Sequence, residues 1–147
     1  MSDAASLPAL HGGCLCGAVR YEVRSPLRDI LVCHCHECRR WAGRAWAATA
    51  ATAADLTIAG EVIWRPSPHS AFRAKRGNCA GCGSCLFWRA EDGPRVAIGA
   101  GTLDDPSGLL IAAHIWVEQG ADWEAPSGGV PAYPRGYPAD APALAWH

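Results

Sequence analysis

Apolar positions along this chain recur at short intervals, and no segment sustains a 3.6-residue period for three turns. In the first clear pattern Ala18, Arg20 and Glu22 alternate with Val19, Tyr21 and Val23, which marks a strand with one buried face. Further short runs rich in β-branched or aromatic residues are bounded by Gly, Pro, Asp or Ser, the punctuation of strands and turns. The pattern predicts strands over Gly17–Val23, Ile30–Cys33, Trp46–Thr52, Leu56–Ala59, Val62–Arg65, Leu86–Arg89, Arg95–Gly99 and Ala113–Val117. One short helix is predicted, over His36–Trp41. The fold class is therefore mainly β. Residues 1–10 read as a flexible N-terminal arm and residues 11–125 as one domain. Residues 126–147, rich in Pro, Gly and Ala, read as a tail packed on the domain or partly disordered.

A chain of 147 residues is long enough for one domain with a core and short for two. Its longest apolar stretch, Ala45 to Ala54, carries threonines and stops at Asp55, too short and too polar to span a bilayer. The N-terminus has no basic segment followed by an apolar run, so no secretory signal is expected and the chain is placed in the cytoplasm, where thiols stay reduced. Thirteen basic and fourteen acidic residues give a formal net charge of -1, which argues against a nucleic-acid binder. The charge is uneven. Arg39, Arg40 and Arg44 cluster, Arg73, Lys75 and Arg76 form a second group, and acidic residues dominate after Ala90. Two solvated faces explain this, and composition favours that reading; a cationic rim for an anionic substrate is the sharper alternative.

Eight cysteines in a chain of this size and compartment point to metal or redox chemistry rather than a disulfide scaffold. They fall into three groups: Cys14-Leu-Cys16, Cys33-His-Cys35-His-Glu-Cys38, and Cys79-Ala-Gly-Cys82-Gly-Ser-Cys85. A Cys-x-x-Cys or Cys-x-Cys pair can aim two thiolates at one tetrahedral ion, and two such half-sites make a closed zinc centre of four cysteines. In the third group spacing alone leaves Cys79/Cys82 and Cys82/Cys85 both open. In the middle group three thiolates leave a fourth position on an ion, and an open position marks a catalytic site. Closure by His34 or His36, or a metal-free redox switch, fits the same spacing. Three thiolates on a dication leave about one negative charge, which Arg39, Arg40 and Arg44 would offset.

These motifs resemble those of the glutathione-dependent formaldehyde-activating (Gfa-like) family, which includes the centromere protein V domain. The resemblance rests on His11-Gly-Gly-Cys14-Leu-Cys16-Gly17, Cys33-His-Cys35-His-Glu-Cys38-Arg39 and Arg76-Gly-Asn-Cys79-Ala-Gly-Cys82-Gly83-Ser84. Gly101-Thr-Leu-Asp104, His114-Ile-Trp116-Val and Trp123 extend it, so that it spans about Gly12 to Tyr137. It implies an Mss4-like antiparallel β-sheet domain organised around a structural zinc on Cys14, Cys16, Cys79 and Cys82, with Cys85 spare. It implies a second zinc on Cys33, Cys35 and Cys38, the catalytic set, so two zinc ions per chain are expected, the second site being the one that can stand partly empty. The implied reaction is that of a carbon–sulfur lyase-type enzyme joining a small aldehyde and a thiol, such as formaldehyde and glutathione, into S-hydroxymethylglutathione. A non-catalytic protein-interaction module and a thiol redox sensor are the alternatives. Partners are thus a small thiol or aldehyde, with no nucleic acid and no membrane. The sequence departs from the family at Asn78, where Phe is usual.

Overall fold

The computed structural model describes residues 8–104 and 106–147, so most of the predicted N-terminal arm, residues 1–7, lies outside the described residues. Leu10, at the end of that segment, already belongs to the first strand. The strands are β1 (Leu10–Gly13), β2 (Arg20–Val23), β3 (Ile30–Cys33), β4 (Trp46–Thr52), β5 (Leu56–Ala59), β6 (Val62–Pro66), β7 (Lys75–Cys79), β8 (Cys85–Arg89), β9 (Arg95–Gly99) and β10 (Ile111–Ile115). The one α-helix among the described residues, α1, spans His36–Ala42 and follows β3 directly. No described helix is long and apolar enough to cross a membrane.

The mainly β class holds. A three-stranded sheet, β1-β2-β5, accompanies a seven-stranded sheet in the order β10-β3-β4-β9-β8-β7-β6. Every pairing is antiparallel except that of β10 with β3. The predicted first strand begins three residues early, because Gly17 sits at φ 82 and carries the turn after Cys16. That conformation suits glycine and strains a residue with a Cβ. Two strands escape the sequence pattern. β1 is Leu-His-Gly-Gly, and a Cβ on Gly12 would lie 2.2 Å from the Tyr21 hydroxyl, so close strand packing forces glycine there. β7 is Lys-Arg-Gly-Asn-Cys, polar in composition, yet Arg76 within it is buried.

The two faces of the large sheet serve different ends, as the period-two alternation of strand side chains requires. Thr49, Ala51, Val96, Ile98 and Phe87 are buried, and Ala51, Val96, Ile98 and Phe87 join Val19, Tyr21 and Val23 of the small-sheet region in one core. A bulge admits Leu86 to that core: Cys85 pairs with Asn78 and Phe87 with Gly77, so Leu86 is the extra residue. The alternate residues Leu31, Cys33, Trp46, Ala48, Trp88 and Ala97 face a cavity instead. Register aligns these positions, with Leu31 opposite Ala48, Cys33 opposite Trp46 and Trp88 opposite Ala97.

The C-terminal residues are held by main-chain hydrogen bonds. Trp116 and Val117 amides donate to Arg135 and Tyr133 carbonyls, and Leu27 exchanges two bonds with His147 at 2.8 and 2.7 Å.

Candidate metal centres and the adjoining cavity

The sulfurs of Cys14, Cys16, Cys79 and Cys82 all lie within 4.8 Å of one another. A tetrahedral ion with Zn–S bonds of about 2.3 Å would hold its sulfurs roughly 3.8 Å apart. Here Cys14 and Cys16 sulfurs are 3.6 Å apart and Cys16 and Cys79 sulfurs 3.8 Å apart. Local backbone aims them. The amides of Gly81 and Cys82 point at Cys79 Sγ at 3.3 and 3.4 Å, and the Val19 amide points at Cys14 Sγ at 3.2 Å. The Val19 amide leads the interactions that lower the Cys14 thiol. The Ser84 hydroxyl lies 3.1 Å from Cys82 Sγ and leads the interactions that hold this thiol down at about 5. Ser84 also accepts from the Leu15 amide at 3.0 Å, so one hydroxyl joins the two half-sites. Cys85 is outside the group: its sulfur faces the Trp41 carbonyl at 3.5 Å, and burial raises its pKa. The geometry therefore pairs Cys79 with Cys82.

Cys33, Cys35 and Cys38 make a second set of sulfurs within 4.8 Å of one another. Cys33 ends β3, Cys35 is the N-cap of α1 and Cys38 lies one turn into the helix. The Cys38 amide donates to Cys35 Sγ at 3.4 Å, so the helix start itself turns a donor on the cluster. Without an ion the three cannot all ionise. Hydrogen bonds from Cys33 and then Cys38 hold Cys35 low, and the same sharing pushes Cys33 up. A cation at their centre would relieve that mutual repulsion and let all three ionise. Both clusters fit a metal by donor type and spacing.

Neither histidine joins the second cluster. His34 points through β3 to the opposite face, where its Nε2 lies 2.9 Å from His114 Nδ1. His114 Nε2 is 3.0 Å from the Ser127 carbonyl, which can only accept, so His114 carries its proton on Nε2 and His34 donates to it. His36 is exposed and lines the cavity, but its ring nitrogens are not among the converging atoms.

The cavity beside Cys33, Cys35 and Cys38 encloses about 750 Å³. Its walls include Leu31, Trp46, Phe72, Trp88, Ile115, Trp116 and Tyr137, and its charged lining groups include Arg28, Glu37 and Arg76. Trp116 adopts φ 57, a strained setting for a bulky residue, at the point where β10 turns into the cavity wall.

The clustered basic residues do not form a cationic rim. Of the six, only Arg76 lines the cavity. Arg39 donates to the Gln119 carbonyl at 2.7 Å, Arg44 pairs with Glu124, Arg73 pairs with Glu91 at 2.9 Å, and Arg40 and Lys75 are exposed. Arg76 is buried, with both terminal nitrogens 3.6 and 3.7 Å from Cys38 Sγ. Its Nε donates to Ser67 Oγ at 2.9 Å, Ser67 bonds Glu37, and its guanidinium lies 5.0 Å from the Trp41 ring centroid. Sequence reasoning missed Arg28, whereas the tryptophans, which read as core filler and site walls, do supply Trp46, Trp88 and Trp116 to the cavity lining. The only signal for Arg28 was a charge placed two residues ahead of the apolar run Ile30–Val32.

The fold has a counterpart among solved structures. A crystal structure of a Rhodobacter sphaeroides protein aligns with TM-score 0.54 and 24% identity, covering 83% of this chain and 98% of that one. At that identity the likeness is one of fold. No curated protein matches the chain. The sequence model of the glutathione-dependent formaldehyde-activating enzymes matches residues 9–119, a span that holds both sulfur clusters and most of the cavity wall. The chain belongs to the family of glutathione-dependent formaldehyde-activating enzymes.

Proposed function

We propose that the protein is a zinc-dependent carbon–sulfur lyase-type enzyme acting on a small aldehyde–thiol adduct, with formaldehyde and glutathione as the reference pair. The observation that carries this reading is that three converging cysteine sulfurs open onto a cavity of about 750 Å³ with aromatic walls. Cys14, Cys16, Cys79 and Cys82 would hold a structural zinc, and Cys33, Cys35 and Cys38 a second one with a position left for a ligand. Zinc bound there would supply a Lewis acid that favours the thiolate form of a bound thiol.

The chain's own residues do the rest. Arg76 sets a buried cation against Cys38 Sγ and offsets the negative charge that three thiolates bring. Ser67 and Glu37 fix Arg76 in turn. Trp46 and Trp88 line the cavity beside the reacting sulfur and present an apolar surface for the aldehyde carbon. The reaction forms one C–S bond, while the thiol proton passes to the former carbonyl oxygen. The uncatalysed addition already proceeds, so holding the two reactants together is enough to accelerate it.

The test is calorimetric titration of the zinc-loaded protein with glutathione, together with exchange rates in formaldehyde–glutathione mixtures. Binding at millimolar thiol that disappears in Cys35→Ser is the expected result. No binding and no rate change over the uncatalysed reaction would sink the reading.

A further inference from the structure

Two guanidinium groups reach the cavity, and they are employed differently. Arg76 is committed to Cys38 Sγ. Arg28 has no anionic partner among the described residues. Its Nε and one terminal nitrogen donate to the main-chain carbonyls of Asp29 and Ala48, both at 3.1 Å. The adjacent Asp29 carboxylate is taken by His147 Nε2 at 3.0 Å and the Leu110 amide at 3.1 Å. Glu37, the carboxylate in the cavity lining, is taken by Ser67 and by the His69 amide at 2.6 Å. The charged neighbour of Arg28 is another cation, Arg95, which stacks over Trp146 at 4.8 Å. Burial brings the Arg28 guanidinium down to about 10, and it remains charged at neutral pH. A half-buried charge satisfied only by carbonyls lacks the counter-ion that would offset its desolvation.

Its position relative to the sulfurs is set by the β3–β4 register. Arg28 reaches the carbonyl of Ala48, which faces Leu31, while Cys33 faces Trp46. Two strand residues separate the levels of Ala48 and Trp46, about 7 Å. In a peptide thiol, a carboxylate on the residue after the cysteine lies roughly 6–8 Å from the sulfur when extended.

We propose that Arg28 is the carboxylate anchor of this cavity, the residue that makes it prefer a thiol with a carboxylate one residue away from its sulfur over the same thiol with that carboxylate neutralised. The inference rests on the reading that a thiol binds at Cys33, Cys35 and Cys38. With the sulfur on that cluster, the carboxylate reaches the Arg28 guanidinium along the Leu31 and Ala48 wall. The pairing supplies Arg28 with its missing counter-ion and fixes which end of the ligand points away from the reacting sulfur.

The experiment titrates the zinc-loaded protein with glutathione, with its glycine-ethyl ester, and with 2-mercaptoethanol. The wild-type protein should bind the free acid about tenfold or more tightly than the ester, the scale of one charge-assisted hydrogen-bonded pair. Arg28→Met should bind acid and ester alike, at the wild-type ester affinity, and Arg28→Lys should keep part of the preference. Equal binding of acid and ester by the wild-type protein overturns the Arg28 assignment and leaves the thiol reading standing. Failure of all three thiols to bind overturns both. If Arg28→Met does not fold, the acid–ester comparison in the wild-type protein and in Arg28→Lys still decides.

Discussion

The indole nitrogen of Trp41 donates to Asn78 Oδ1 at 3.0 Å, and this bond links the two cysteine clusters. Trp41 rides on the helix that carries Cys38, and Asn78 immediately precedes Cys79. The other end of the same amide donates to the carbonyls of Gly83 at 3.1 Å and Ser84 at 3.4 Å, inside the turn that follows Cys82. A phenylalanine, the residue the family resemblance puts here, could make none of these bonds. Asn78→Phe should therefore cost about 1–2 kcal/mol, the penalty for leaving partly buried polar groups without partners. Asn78→Asp keeps the acceptor for Trp41 but loses the donor, and should fall between. Urea unfolding of the two variants checks the order; a neutral Asn78→Phe would show that packing replaces the amide.

The two clusters differ in ligand count, and metal removal should expose it. Gently purified protein should carry two zinc ions per chain. The ion on Cys33, Cys35 and Cys38 has three protein ligands and faces a cavity, so a mild chelator should take it first while the fold persists. Elemental analysis beside far-ultraviolet circular dichroism follows both events. Simultaneous loss of both ions would show that the second centre is closed.

Cys85 and Cys82 should behave differently despite their shared motif. Cys82→Ser removes a converging ligand and should leave little folded protein. Cys85→Ser should retain both metals and shift the melting temperature by no more than a few degrees, about 1 kcal/mol. Zinc content and thermal melts decide; loss of a zinc from Cys85→Ser would contradict the orientation of its sulfur toward Trp41.

Glu124 anchors the chain beyond β10 to the start of β4, accepting from the Ala45 amide at 3.0 Å and from Arg44. Burial pushes its pKa up, but the amide and the guanidinium outweigh it and the net shift is downward from 4.5. A lowered carboxylate contributes its stability fully above the unfolded value and loses it as pH falls through the folded one. Glu124→Gln should thus cost about 1 kcal/mol at pH 7 and progressively less below about pH 4.5. Denaturant unfolding of both proteins at neutral and acid pH gives the difference, from which cysteine protonation, common to both, cancels. A gap that stayed constant across that range would remove the carboxylate from the account.

Local chemistry was enough for much of this protein. The strands Ile30–Cys33, Trp46–Thr52, Leu56–Ala59 and Arg95–Gly99 have the bounds their residues predict, because β-branched and small apolar side chains between turn formers have one good backbone solution. The helix at His36 follows from the cap at Cys35. The three cysteine groups were legible because thiols paired at those spacings have few roles besides metal and redox chemistry. Tertiary structure decided what depends on distant partners. Lys75–Cys79 became a strand because β6 and β8 offered hydrogen bonds on both sides, despite its polar composition. Face alternation sent His34 away from Cys33 and Cys35 and left the three sulfurs without a histidine. The clustered arginines looked alike as charges, yet Glu124, Glu91 and the Gln119 carbonyl claimed three of them, and only Arg76 reached a sulfur. A charge carries no record in the sequence of which distant group neutralises it. For the same reason Arg28, which found no carboxylate within the described chain, could be recognised only once the sheet had placed it in the cavity.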